Sequence, residues 1–199
     1  MNLANDLDVV KLIIVGHVDH GKSTLIGKLL FELGEVANDK VEEIRKNCNS
    51  RSIPFEWAFL LDALKTERDQ GVTVDTTQIF FKTKKRNYVF IDAPGHKEFL
   101  KNMVTGATQA EMAFLIIDVN EGIGDQTKKH VYLLGLIGIK NIVILINKMD
   151  SVNYKEAKFC NVKKNIEEYL HNINAKPKAI LPISAKDGSN ITKNTDMKW

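Results

Sequence analysis

A run of apolar residues from Val9 to Val15 leads directly into Gly16-His17-Val18-Asp19-His20-Gly21-Lys22-Ser23, and residues 22–32 continue with helical spacing. No other feature of the chain restricts its fold so tightly. The spacing Gly-x-x-x-x-Gly-Lys-Ser, placed between a strand and a helix, specifies a loop whose backbone N–H groups turn inward around a phosphate chain at the positive end of the helix. Lys22 adds a point charge for β and γ phosphates, and the Ser23 hydroxyl is placed for Mg²⁺. Gly16, His17, Val18, Asp19, His20, Gly21, Lys22, Ser23 and Thr24 are therefore the candidate phosphate-side contacts. Two histidines beside Asp19 would also suit a transition metal. An enclosing phosphate loop, however, aims backbone amides at its ligand rather than side chains.

The remaining pattern extends this unit into a sheet. Strand-length apolar runs are expected at 9–15, 74–83, 86–92, 112–118, 140–147 and 178–183, and helical periods at 22–32, 97–107, 125–136 and 155–171. Alternation of short apolar runs with helices predicts an α/β fold with helices on both faces of a six-stranded, mostly parallel sheet. Only the Lys84-Lys85 region separates 74–83 from 86–92, so this pair must form a hairpin and supply one antiparallel edge strand.

Three further strands end in residues suited to a nucleotide. Tyr88-Val89-Phe90-Ile91 runs into Asp92-Ala93-Pro94-Gly95-His96. A carboxylate at a strand end beside the phosphate loop reaches Mg²⁺ through water. Gly95 lets its N–H approach a γ-phosphate, and His96 then stands next to the attacking water. The strand to Ile146 ends in Asn147-Lys148-Met149-Asp150. Asp150 can accept from the N1–H and exocyclic amine of guanine, a donor pair that adenine lacks, while Lys148 lies along the purine and Asn147 braces the loops. Ile180-Leu181-Pro182-Ile183 leads to Ser184-Ala185-Lys186, whose backbone can meet the guanine carbonyl while Lys186 covers the other face of the base.

About forty residues between Phe31 and Val72 lack a strand pattern, more than a passive connection needs. Within them, 39–44 and 55–64 have helical apolar spacing, and their aromatics are expected to pack rather than to bind. The insertion ends at Arg68-Asp69-Gln70-Gly71-Val72-Thr73, where Thr73 could join Mg²⁺ only when a γ-phosphate is present.

The composition excludes other classes. With 44% hydrophobic and 27% charged residues, the 199-residue chain has enough apolar material for a single core-bearing domain, and a formal charge of +3 does not call for a polyanion. Its two cysteines, Cys48 and Cys160, have no ligand spacing, and reduced cytosolic thiols are expected. No apolar run approaches the length of a membrane span, and the N-terminus lacks a secretory pattern. Lys82, Lys84, Lys85 and Arg86 are read as a solvated hairpin edge rather than a nucleic-acid surface.

Taken in order, GHVDHGKS, RDQGVT, DAPGH, NKMD and SAK resemble the GTP-binding domain of the translation-factor class of GTPases across nearly the whole chain. The resemblance implies a three-layer P-loop GTPase fold over residues 1–199, binding GTP or GDP with Mg²⁺. It places Thr73 in a switch I insertion spanning about 32–73, and Asp92 to His96 at the start of switch II. By the same resemblance, Lys22 and His96 are catalytic, with His96 orienting the hydrolytic water. Val18 and Val72 gate that histidine, Asp19 helps hold a monovalent cation, and Ser23, Thr73 and Asp92, the last through water, serve the metal.

Two branches of the class compete. Gln70, the Gly122–Thr127 segment and Asn147–Tyr154 resemble the GTPase subunit of sulfate adenylyltransferase, which couples GTP hydrolysis to adenylyl sulfate synthesis with a nucleotidylyltransferase partner. This is the expected branch. His20 and Ala93 resemble elongation factor Tu or one-alpha, whose partners are the ribosome and aminoacyl-tRNA. In both branches the domain is cytoplasmic, with no membrane or DNA partner, and two β-barrel domains follow it that this chain does not contain.

Overall fold

The computed structural model describes residues 9–69, 77–92, 110–193, 197 and 199, with 65–69, 77 and 92 described through their backbone. Its strands are β1 (Val9–Gly16), β2 (Thr77–Lys82), β3 (Asn87–Asp92), β4 (Met112–Asp118), β5 (Ile142–Asn147) and β6 (Ala179–Pro182). The helices are α1 (Lys22–Glu32), α2 (Asn38–Ser50), α3 (Trp57–Asp69), α4 (Asp125–Ile137) and α5 (Glu156–Asn172), with a 3-10 turn over Met149–Val152. The described part of the insertion thus contains two helices. The expected helix at 97–107 and the first residues of the strand expected at 74–83 lie outside the described residues.

All six strands form one sheet in the order β2-β3-β1-β4-β5-β6. β1 pairs in parallel with β3 and β4, β5 joins β4 and β6 in parallel, and only β2 runs antiparallel, against β3. The hairpin is closed by Thr83, whose N–H donates to the Arg86 carbonyl and whose Oγ1 accepts from the N–H groups of Lys85 and Arg86. At the exposed edge, the Lys82 N–H donates to Glu35 Oε1 at 2.9 Å. That contact occupies a donor which an edge strand would otherwise offer to another chain.

The period-2 geometry of β1 sorts its apolar residues onto two faces. Ile13 and Val15 join Leu115, Ile117, Ile144 and Ile146 under Val131 and Leu134 of α4 and Phe159 and Ile166 of α5. Leu12 and Ile14 join Phe90 and Ile116 under Leu25 and Ile26 of α1 and Leu60 and Leu61 of α3. The result is a helix–sheet–helix sandwich with a core on each side. Val41, Ile44 and Cys48 extend the second core into α2. Cys48 is buried and Cys160 exposed, both as free thiols. Among the described residues no helix is long and apolar enough to cross a membrane.

The insertion packs closely against the helix that follows the phosphate loop. A Cβ at Gly27 of α1 would run into the Trp57 carbonyl oxygen at the start of α3. Only glycine permits that approach, so the chain after residue 50 is fixed relative to α1 by backbone contact as well as by side-chain packing.

Candidate functional site: a nucleotide pocket at the sheet switch point

Strand order reverses on either side of β1, which places a crevice beyond the carboxyl ends of β1 and its neighbours, where ligands of open α/β sheets bind. The loop from Gly16 to Lys22 occupies it. Gly21 has φ +93°, a left-handed conformation, and initiates α1, with its carbonyl accepting the Leu25 N–H at 2.9 Å. Asp19 is also left-handed, at φ +63°. The Lys22 ammonium lies across the loop, donating to the Gly16 and His17 carbonyls at 2.8 Å each.

The two histidines of the loop face different surroundings. His17 Nδ1 accepts the Val18 N–H at 2.7 Å. The His20 ring is buried, with Nδ1 3.1 Å from the Ile116 carbonyl and Nε2 3.0 Å from Glu121 Oε2. Its side chain is therefore held by β4 and the loop after it rather than presented to the crevice. Only its backbone remains a candidate contact.

Asn147, at the end of β5, ties the phosphate loop to the base loops. Its Nδ2 donates to the His20 carbonyl at 2.8 Å, and its Oδ1 accepts the Ala185 N–H at 2.9 Å. Ser184 Oγ donates to Asp150 Oδ1 at 2.6 Å and accepts the Asp187 N–H at 3.2 Å. One oxygen of Asp150 is thereby fixed by the neighbouring loop. Ser184 is fully buried, so its part is to orient Asp150. Met149 is also fully buried, in the core under α4 and α5. Its side chain, expected among the nucleotide contacts, turns into the core at the start of the 3-10 turn, after the left-handed Lys148, while Lys148 and Asp150 line the crevice.

These elements enclose a pocket of about 880 Å³, large enough for a nucleotide. Val18, Asp19, Gly21, Lys22, Ser23 and Thr24 line one end. Asn147, Lys148, Asp150, Ala185 and Lys186 line the other. Residues 54–58 of the insertion, including Phe55 and Trp57, form part of its wall, although the sequence singles them out only as packing residues. The packing is real: Trp57 lies 4.9 Å from the Phe31 ring and 5.0 Å from that of Phe55. The same residues also border the pocket.

Asp118, at the end of β4, is a further participant that the sequence alone hides within an apolar strand. Its Oδ2 lies 2.7 Å from Lys148 Nζ. Its Oδ1 accepts from the Asn120 N–H at 2.8 Å and from Asn120 Nδ2 at 3.1 Å. Burial works to raise this carboxyl, but the Lys148 ammonium and the Asn120 donors outweigh it and hold the group below the ordinary carboxylate range. Asn120 Nδ2 also donates to Ser151 Oγ, which donates to the Lys148 carbonyl, both at 2.7 Å. Lys148, at φ +64°, is thus held at its side chain and its backbone.

Behind the base loop, the Tyr154 hydroxyl donates to Asp187 Oδ2 at 2.7 Å. Burial, together with the Asp187 carboxylate, pushes its phenol above the usual range.

His130 of α4 is buried near the loop, and among the described residues its Nδ1 has no hydrogen-bond partner. Burial, followed by the charges of Lys22, His17 and His20, lowers its pKa to about 4. The unfolded chain protonates this histidine near pH 6.5 while the folded chain keeps it neutral. Stability is therefore full above pH 6.5 and is lost as pH falls toward 4. At pH 4.5 the loss amounts to about 2–3 kcal/mol. Chemical unfolding at pH 7.5 and 4.5 is expected to show His130→Leu losing less stability than the parent by that amount; equal losses would refute the assignment.

For Mg²⁺, the residues in view fit a hard cation. The first turn of α1 brings Ser23 to the pocket beside Lys22, and hydroxyl, phosphate and water oxygens are the ligands Mg²⁺ prefers. Among the described residues no His, Cys, Asp and Glu side chains group as a metal cage. The Asp92 side chain, Ala93, Pro94, Gly95 and His96 lie outside the described residues, as do Gln70, Val72 and Thr73.

A parallel sheet with a phosphate loop at its switch point and a guanine-type base loop beside it defines the class of P-loop nucleotide-binding domains. Residues 7–197 match the elongation factor Tu GTP-binding domain, and the chain belongs to that family. Its nucleotide is therefore GTP or GDP with Mg²⁺. Elongation factor 1-alpha of Methanospirillum hungatei is 40% identical over 201 residues, covering 99% of this chain and 47% of that protein. The chain thus spans about half the length of the curated relatives it matches. Among solved structures, translation elongation factor SelB of Methanococcus maripaludis, in complex with a GTP analogue, superposes with a TM-score of 0.61 at 26% identity, covering 92% of this chain and 31% of that one. The Saccharomyces cerevisiae Ski7 GTPase-like domain, bound to GDP and inorganic phosphate, gives 0.74 at 21% identity, over 97% of this chain and 47% of that one, a likeness of fold.

Proposed function

We propose that this chain binds and hydrolyses GTP as the motor domain of a translation factor of the elongation factor 1-alpha kind, working with the ribosome and aminoacyl-tRNA. The observation that carries the nucleotide reading is Asp150, fixed by Ser184 in a pocket whose opposite end is the Lys22 loop. The elongation factor reading is supported by relatives that share 40% identity over 99% of the chain. Gln70 and the Gly122–Thr127 segment favour the sulfate adenylyltransferase branch, but the relatives named above support the translation branch instead, as do His20 and Ala93.

In the mechanism, Asp150 accepts from guanine, and Lys148 and Lys186 lie along the base. Lys22 leaves its carbonyl partners on the loop to meet β and γ phosphates, where its charge stabilises the transition state. Ser23 and Thr73, with Asp92 through water, would hold Mg²⁺, which when bound would supply positive charge to the phosphates. His96 orients the attacking water. Positioning and electrostatics carry the reaction, so the basal rate is low until a partner orders the switches.

His96→Ala is expected to lower GTP hydrolysis roughly a hundredfold or more while GDP and GTP affinities stay at parental values. Single-turnover hydrolysis with parallel binding titrations checks this, and an unchanged rate would remove His96 from its role. Stimulation of hydrolysis by ribosomes with aminoacyl-tRNA supports the translation reading. Stimulation only by a nucleotidylyltransferase with ATP and sulfate would replace it.

A further inference from the structure

Trp57 makes one polar contact that packing does not require. Its indole Nε1–H donates to the Lys186 carbonyl at 3.0 Å, joining the first turn of α3 to the base loop. Trp57 is 8% exposed, its indole wedged between the Phe31 and Phe55 rings with the Lys28 ammonium 4.6 Å from its centroid. Phe55 is in turn covered by the Arg45 guanidinium at 4.1 Å, so the ring cannot swing without displacing charges from both α1 and α2. On the other side of the contact, the backbone leading to Lys186 is held by Asn147 at Ala185. Lys28 also pairs with Glu32 at 3.2 Å, and Glu32 accepts from the Thr192 hydroxyl beyond the base loop.

We infer that Trp57 is a positioning residue for guanine recognition: its indole N–H sets the backbone at Lys186, and so makes affinity for the base depend on the order of the insertion. The inference rests on the guanine-nucleotide reading above. The physical reason is the direction of the bond. A hydrogen bond to the Lys186 carbonyl fixes the peptide from which that side chain departs, and Lys186 borders the same pocket as Asp150. Helix α3 runs from Trp57 to Asp69 within the insertion, so a change in the insertion's packing reaches the base end through this bond without passing through the phosphates.

The test compares the parent chain with Trp57→Phe, which keeps an aromatic ring but has no donor, and with Trp57→His, which keeps a ring N–H at similar reach but buries less apolar area. Binding of GDP and of inorganic tripolyphosphate is measured for each, with thermal unfolding of the nucleotide-free chains. Trp57→Phe is expected to release GDP about five- to tenfold faster, the worth of one hydrogen bond, and to leave tripolyphosphate binding unchanged. Trp57→His is expected to hold GDP more tightly than Trp57→Phe while melting at a lower temperature. Affinities that follow melting temperature across the set, or tripolyphosphate binding that falls in parallel with GDP, would overturn the inference. Parent chain that binds tripolyphosphate but shows no preference for GDP over ADP would overturn the guanine reading beneath it, a result separable from a normal preference that Trp57→Phe leaves intact.

Discussion

Asp150→Asn is expected to lower GDP affinity by roughly a hundred- to thousandfold and to give the chain a preference for xanthosine diphosphate. In the parent, an ionised carboxylate at the pocket's base end faces a ring with two adjacent donors, and hydrogen bonds to a charged group contribute about 1.5–3 kcal/mol each. An amide offers one acceptor and one donor, so the guanine amine meets N–H while the xanthine carbonyl at the same position is satisfied. The support beneath the residue survives the change, because Ser184 Oγ donates to Oδ1, an oxygen that asparagine retains. The effect should therefore appear in base choice and not in folding. Competition titrations with GDP and xanthosine diphosphate measure it, and full guanine preference in the variant would show that recognition resides elsewhere in the loop.

Gly21→Ala should produce a loss of comparable size by a different route. The left-handed backbone at φ +93° already disfavours a side chain by about 1–2 kcal/mol. The added Cβ also meets Asn147 Nδ2, the atom that holds the His20 carbonyl. Relief of that collision moves Asn147, which releases the Ala185 N–H from its Oδ1. One methyl group thus disturbs the phosphate loop and the base loop together. GDP affinity is expected to fall at least about a hundredfold, with the melting temperature lower by roughly 4–8 °C for about 2 kcal/mol in a chain of this size. Calorimetric binding and thermal unfolding check both numbers; parental affinity in a destabilised variant would mean that the Gly21–Asn147 approach does not shape the site.

Much of this architecture was legible from local pattern. β4 and β5 are continuous apolar runs, and β1 is one broken only by Lys11, because both of their faces are covered, and such runs stand out. The hairpin was readable because only a short turn separates its strands, and the phosphate loop because its glycines, lysine and serine are local in sequence. What escaped is non-local. The bond between Trp57 and Lys186 joins residues 129 positions apart, and no periodicity encodes it. Asp118 looked like the end of a strand, since its value lies in a lysine beyond the next helix and strand. Met149 shows the complementary case: a motif predicts where the backbone goes, whereas the local turn decides that its side chain enters the core. Asp92, Gly95, His96 and Thr73 rest on the family resemblance for their roles.

Asn147 carries a consequence of a different kind. Its amide presents a donor to one loop and an acceptor to the other, so its two ends are not interchangeable, and neither aspartate nor leucine could serve both. The loops that frame the two ends of the pocket are thereby joined through a single side chain. Were Asn147 to shift when one end fills, the effect on the other would be returned with equal magnitude.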